Sequence, residues 1–292
     1  MVDSASGKLL CLYHNDMDGR CCAAIVRRRY AGRAILHAID YGDPIPWDRI
    51  DSVEGVLIID FSLPKEHMLK IDSMTSLTWI DHHKTALSNL EDLSHVQGLR
   101  ALDRAACVLT WQVFFAEEDI PRSVTYIGDR DIWEHAYSET RPFGEGIFHE
   151  NTNPMNDKLW SPLLDDNAQA IEELIERGKV LYKASVTRAK RLIAGRGFAI
   201  TFEGQPTLAL NTPGTGDLGE LIRQQGYIIG YCYSEKEQNG KLTTSVTLYS
   251  DRVDVSEIAK KFGGGGHPGA SGFSFVRNGT PFPSGSSVDW KG

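Results

Sequence analysis

The chain has little that would mark it for a membrane, an oxidising compartment or a long polyanion. No uninterrupted apolar stretch in its 292 residues approaches the roughly 18 residues that a spanning helix needs. The opening MVDSASGKLLCLYHNDMDG meets charged residues after only a few apolar ones, which sets aside a signal segment and points to the cytoplasm. Cysteine is sparse. The five present (Cys11, Cys21, Cys22, Cys107, Cys232) are odd in number, scattered and without a CxxC pair. That excludes a disulfide framework and a zinc ribbon, and leaves buried, reduced thiols as the expectation. Positive charge is in deficit, with 31 bases against 39 acids and a net charge of -8. A broad basic surface for long duplex nucleic acid is therefore not expected, whereas a phosphate ligand held by metal ions remains compatible. There is no internal repeat and no low-complexity tract.

What is present reads as a two-domain α/β chain, 41% hydrophobic and 24% charged. In the first half, short apolar runs alternate with amphipathic segments: KLLCLYH, CCAAIVRRRYAG, AILHAI, GVLIIDF and LTWIDHH. This is the rhythm of β-α-β units and a mainly parallel sheet. RAACVLTWQVFFAEE and SVTYIGDRDIWEH read as helices. From Asp165 to about Ile193 one long amphipathic helix is expected, N-capped by Asp165 or Asp166 and connecting the domains. Beyond it, FAITFEG, TLALN, YIIGYCY and KLTTSVTLYS read as strands of a smaller α+β domain, with DLGELIRQQG and VSEIAKKFG as its helices. The expected divisions are 1–164, 165–194 and 195–292. The Gly, Ser and Pro-rich tail after Phe275 reads as loosely ordered.

Three of the apolar runs end on acidic or imidazole residues, at the strand ends where open α/β sheets bind ligands. His14, Asp16 and Asp18 recur at alternate positions after the first run, and on an extended segment they would point to one side. Gly19 would let the chain turn into the following helix. The same segment also suits a plain helix cap. Asp60 ends GVLIID, and Asp81-His82-His83 ends the next run, supplying an imidazole ligand and a second proton-handling residue. Asp129 and Asp131 follow in YIGDRDIW, with Arg130 or Arg104 as candidate phosphate contacts. A set rich in carboxylate, with some imidazole and no thiolate, suits Mn²⁺ or Mg²⁺ better than structural Zn²⁺. Asp60 is the candidate bridge between two such ions. Near the other end, GGGGHPGASG (263–272) follows a helix. Its backbone, through Gly264, Gly265 and Gly266, could approach an anion as a nest, with His267 as a donor.

On the motifs HNDMDG (14–19), Asp60, Asp81-His82-His83, Asp129 and GGGGHPGASG, the chain resembles the DHH phosphoesterase superfamily. The branch is the one with a C-terminal DHHA1 domain, and the nearest look is to its nanoRNase or oligoribonuclease type members. The resemblance covers nearly the whole chain. It implies a parallel-sheet DHH domain, a linking helix and a smaller DHHA1 domain that binds substrate, around two Mn²⁺ ions or, in their place, Mg²⁺. Carried over residue by residue, His14 and Asp16 would hold one ion and Asp18, His82 and Asp129 the other, with Asp60 bridging. His83 would assist the phosphate or leaving group, and His267 with its neighbouring glycines would hold the substrate's phosphate or terminal nucleotide. Asp131 is the alternative to Asp129; the resemblance favours Asp129 because Trp133 then falls four residues later, where relatives often carry an aromatic. The first motif is HxDxD here, where many relatives have HxxxDxD. Tyr249 stands where many relatives have an arginine, with Arg252 nearby.

The implied activity is Mn²⁺-dependent hydrolysis of short oligonucleotides to nucleoside monophosphates by metal-activated water. A partner a few nucleotides long is compatible with an acidic protein. The competing readings are a phosphatase for a 3′,5′-bisphosphorylated nucleotide or pyrophosphate, and a non-catalytic nucleotide sensor, which would have lost one or more ligands. Tyr231, Tyr233, Phe262 and Phe273 could stack bases or serve as core. The sequence leaves RNA against DNA, the direction of attack and the oligomeric state open, a homo-oligomer included.

Overall fold

The computed structural model describes residues 7–238 and 240–290. The chain divides into two compact units, Met1–Tyr182 and Lys183–Gly292. The first carries a four-stranded, all-parallel sheet of β1 (Leu9–His14), β2 (Ala34–Ile39), β3 (Gly55–Ile59) and β4 (Ser76–Ile80), in the order β2-β1-β3-β4. Its helices are α1 (Met17–Tyr30), α2 (Trp47–Ile50), α3 (Lys65–Met74), α4 (Lys84–Asn89), α5 (Ala106–Phe114), α6 (Arg122–Asp131), α7 (Thr140–Phe148) and α8 (Asp157–Leu164). The central strands β1 and β3, and most of β4, are buried on both faces and so read as continuous apolar runs, whereas the edge strand β2 is largely half-buried. Along β1, Leu9, Cys11 and Tyr13 pack with α1 and α5, while Leu10 and Leu12 pack on the opposite layer with Met68, Ile71 and Trp79. The period of two thus divides one strand between two cores. All five cysteines are buried and free.

The helix α9 (Ala168–Arg196) starts later than the sequence suggests, and its cap is Asn167, whose side-chain oxygen accepts from the Ala170 N–H at 3.0 Å. Neither aspartate is available for that duty. Asp165 terminates α8 and faces Arg28 at 2.5 Å, while Asp166 has a left-handed φ of 51° and accepts from the backbone N–H of Arg122 at 2.9 Å. The sequence reading also passed over α7 and α8. Glycine and proline in RPFGEGIF suggest a loop, yet Gly146 is a packing residue: a Cβ there would lie 2.1 Å from the Leu174 carbonyl oxygen of α9. The absence of a side chain lets two helix backbones come together.

The second unit has a seven-stranded mixed sheet. Its strands are β5 (Phe198–Phe202), β6 (Gln205–Asn211), β7 (Ile229–Gln238), β8 (Lys241–Tyr249), β9 (Gly265–His267), β10 (Ala270–Val276) and β11 (Val288–Trp290), in the order β11-β5-β6-β7-β8-β10-β9. The pair β6 and β7 is parallel and every other pair antiparallel. Helices α10 (Gly216–Arg223) and α11 (Val255–Lys261) cover it. The tail after Phe275 is tied down rather than loose: Phe282 is buried in the core, the Tyr231 hydroxyl donates to the Pro281 carbonyl at 2.8 Å, and β11 pairs with β5. Burial of one aromatic ring offsets the poor propensity of the surrounding Gly, Ser and Pro. Among the described residues no helix is long and apolar enough to cross a membrane.

Candidate metal centre

The cluster forms where three parallel strands end. His14 closes β1, Asp60 directly follows β3, and Asp81 directly follows β4. Asp16 caps α1, its carboxylate accepting from the Gly19 N–H at 2.9 Å. Gly19 is required by proximity, since a Cβ there would stand 2.0 Å from the His14 carbonyl oxygen. Asp18, in the first turn of α1, is fully buried and accepts from the Ala106 and Cys107 N–H groups at 2.8 and 2.9 Å. Those donors open α5, so the N-terminal dipole of one helix holds the acid of another.

Three sets of ligand-type atoms converge: His14, Asp16 and Asp60; Asp18, His82 and Asp131; and Asp60, His82 and His83. His14 Nδ1 lies 2.9 Å from Asp16 and 3.8 Å from Asp60 Oδ2. His82 Nε2 lies 3.3 Å from Asp60 Oδ1, 3.4 Å from Asp131 and 3.8 Å from Asp18. Asp60 is common to the two flanking sets, and its buried Oδ2 accepts no hydrogen bond from the described residues. It holds a left-handed φ of 56°, a conformation in which Asp and Asn are enriched among non-glycine residues.

Such crowding shows in protonation. Burial first, then the charges of Asp18, Asp16 and Asp131, push the Asp60 carboxyl well above its ordinary value. Desolvation and the neighbouring Asp18 and Asp16 do the same to Asp131, and burial raises Asp18. Burial also lowers the His82 imidazole, favouring its neutral, ligand-competent form. For Asp16 burial acts upward, but the hydrogen bond and charge of His14 and the Gly19 N–H outweigh it and hold the carboxyl at about 2. Carboxylates that cannot all ionise together, around a buried unpartnered oxygen, fit a cation.

Asp129 stands apart from this cluster. Its carboxylate accepts from the Ala136 N–H at 2.9 Å, the Tyr137 N–H at 3.4 Å and the Thr140 hydroxyl, so it organises the segment between α6 and α7. Asp131, two residues on, is the one brought to His82. The sequence reading also missed the work of Asp81. Its Oδ1 accepts from the His82 and His83 N–H groups at 2.8 and 3.1 Å and lies 2.8 Å from His83 Nδ1, so one carboxylate orients both histidines. Arg104 stands on an exposed loop, where its guanidinium donates to Asp103 at 2.7 and 3.1 Å.

In the second unit the glycine run is more ordered than an anion nest. Gly263 and Gly264 donate to the Lys260 and Ala259 carbonyls, closing α11. Gly265, Gly266 and His267 form the edge strand β9, where Gly266 adopts φ 140° beside Ser271. His267 lies at the hairpin turn, its carbonyl accepting from the Ser271 hydroxyl at 2.6 Å.

The parallel sheet with its strand-end Asp/His cluster, followed by a mixed-sheet unit, is a two-domain α/β fold shared with a solved DHH domain. The chain is similar to the solved structure of the DHH domain of a member of the s1p family of ribosomal proteins, with a TM-score of 0.62, 15% identity, and coverage of 92% of this chain and 83% of that one. It is also similar to an exopolyphosphatase-related protein from Bacteroides fragilis, with a TM-score of 0.55, 16% identity, and coverage of 93% and 88%. No protein-family model matches the chain. Among curated proteins it is 30% identical over 236 residues to an uncharacterized protein of Acanthamoeba polyphaga mimivirus, covering 76% of this chain and 53% of the relative. The chain thus spans about half the length of that relative.

Proposed function

We propose that the chain is a metal-dependent phosphoesterase, and specifically an Mn²⁺-dependent phosphodiesterase of the nanoRNase or oligoribonuclease type acting on short oligonucleotides. The observation that carries this is Asp60: a buried carboxylate with an unpartnered oxygen, within 3.8 Å of His14 on one side and 3.3 Å of His82 on the other. His14 and Asp16 would hold one ion, Asp18 and His82 the other, with Asp60 between them. For the last ligand we favour Asp131 over Asp129, because an Asp131 carboxylate oxygen lies 3.4 Å from His82 Nε2. Two bound divalent ions would supply an activated water and a clamp on phosphoryl oxygens.

The chain's own residues do the rest. Asp18, held by the Ala106 and Cys107 N–H groups, ties the start of α1 to the start of α5. Asp81 orients His83, with the imidazole beside the ligands, so that it can hand a proton to the departing oxygen. Within the second unit, Gly264, Gly265, Gly266 and His267 would bind a phosphate or a terminal nucleotide. The likeness to an exopolyphosphatase-related protein supports the fold, and that protein's name is in keeping with phosphate chemistry.

The test is hydrolysis, with Mn²⁺ or Mg²⁺ added, of 5′-labelled dinucleotide to pentanucleotide RNA, adenosine 3′,5′-bisphosphate and pyrophosphate. Stepwise release of nucleoside monophosphates is expected. Turnover confined to the bisphosphate or pyrophosphate would replace the proposal with a phosphatase, and binding without any turnover would replace it with a sensor.

A further inference from the structure

Beside the carboxylate cluster lies a cavity of about 270 Å³ bounded by α6, α7 and the segment between them. Asp16, Asp18 and Asp131 line it, together with Trp133, Phe148 and Arg130. Trp133 keeps 36% and Phe148 69% of its surface exposed, although both are large aromatics that folding would ordinarily bury. Trp133 also holds a left-handed φ of 60°, and His135, whose ring meets it edge-on at 4.5 Å, holds 52°. Left-handed backbone at bulky residues persists only where surrounding structure enforces it. Here the enforcing group is Asp129, which gathers the N–H groups of Ala136 and Tyr137 and the hydroxyl of Thr140. A buried acid thus gathers the segment that carries Trp133, beside the carboxylate cluster.

We propose that this cavity seats a single nucleobase of the substrate, with Trp133 as its stacking platform. This deepens the phosphodiesterase reading and rests on it for the position of the phosphate. The cavity is slightly below the roughly 300–1,000 Å³ of drug-sized sites, so it takes one ring system rather than a run of nucleotides. Aromatic faces bind bases without strict sequence choice. Arg130, with donors and no acceptor, offers hydrogen bonds to the acceptor atoms on a base edge. Pyrophosphate has nothing to place against these apolar side chains, so the cavity selects nucleotidyl substrates from inorganic ones.

Calorimetric titration of the full chain in excess Mn²⁺ with AMP and with ribose 5-phosphate tests this without requiring turnover. AMP is expected to bind about tenfold tighter or more. Trp133→Ala should erase that preference, and Trp133→Phe should retain it. If Trp133→Ala is misfolded by circular dichroism, Phe148→Ala, at a far more exposed position, should weaken AMP and leave ribose 5-phosphate unchanged. Equal affinity for the two ligands, no binding of either, or an undiminished preference in the folded variants overturns the proposal. Retained AMP preference with no hydrolysis of any dinucleotide would instead overturn the phosphodiesterase reading and leave the base seat standing.

Discussion

At Asp60 two demands coincide: the chemistry wants an acid and the backbone wants a residue that tolerates φ 56°. Asn satisfies the second alone. Asp60→Asn is therefore expected to keep the fold and lose metal-dependent hydrolysis by at least about 100-fold, the order of a removed charge-stabilising group. Full activity in this variant would sink the metal assignment. Because burial and neighbouring acids raise this carboxyl, the folded chain binds its proton more tightly than the unfolded chain does. That contribution to stability is complete below the unfolded value and is lost as pH rises through the raised folded value. Without metal, Asp60→Asn should accordingly show a higher Tm than the parent at pH 7.5, with the gain shrinking toward pH 4, as scanning calorimetry would record.

The two aspartates of α6 separate in the same way. Asp131→Asn should reduce Mn²⁺ binding and activity without lowering the metal-free Tm, since its carboxyl is raised in the fold as that of Asp60 is. Asp129→Ala should lower stability by about 2–4 kcal/mol, since it strips a carboxylate from two N–H groups and a hydroxyl. Denaturant titrations beside Mn²⁺ titrations distinguish the variants, and the opposite pattern would return Asp129 to the metal site.

Among the elements, the parallel sheet was legible because buried strands write themselves as apolar runs, and the gathering of the candidate site's residues because those runs stop on His14, Asp60 and Asp81. The choice between Asp129 and Asp131 was not. Two residues apart on a helix, they point to nearly opposite sides, and only the packing of α6 decides which side meets His82. Helix α7 was hidden by Gly144 and Gly146, which signal a loop in a sequence and close packing in the fold. The cap of α9 was misread because Asp166 is taken up by Arg122 from a distant part of the chain, leaving Asn167 to cap the helix. Asn167→Ala should thus cost about 1 kcal/mol, whereas Asp165→Ala should leave α9 unaffected, by denaturant midpoint.

For the whole molecule, the unit division falls inside α9, at Tyr182 and Lys183. Its final turns supply Ala189, Leu192 and Ile193 to a core with Leu208, Leu210 and Ile222. A fragment of residues 183–292 should fold cooperatively, and one beginning at 197 should be less stable by about 2–5 kcal/mol, the loss that follows removal of a buried aliphatic side chain. Equal stability of the two fragments in urea would show that those turns contribute nothing.

The seven-stranded sheet ends on one side in β9, three residues long, and on the other in β11, also three residues long. Long bare strand edges recruit other chains, and these short ones give a neighbour little to pair with. Strip away residues 281–290 and β5 would become the margin, with Phe198 and Phe202 deprived of Trp290 and Phe282. The stretch that looks most dispensable in composition is thus a guard against self-association: its loss would be felt first as turbidity, in a protein that keeps every residue of its Asp/His cluster.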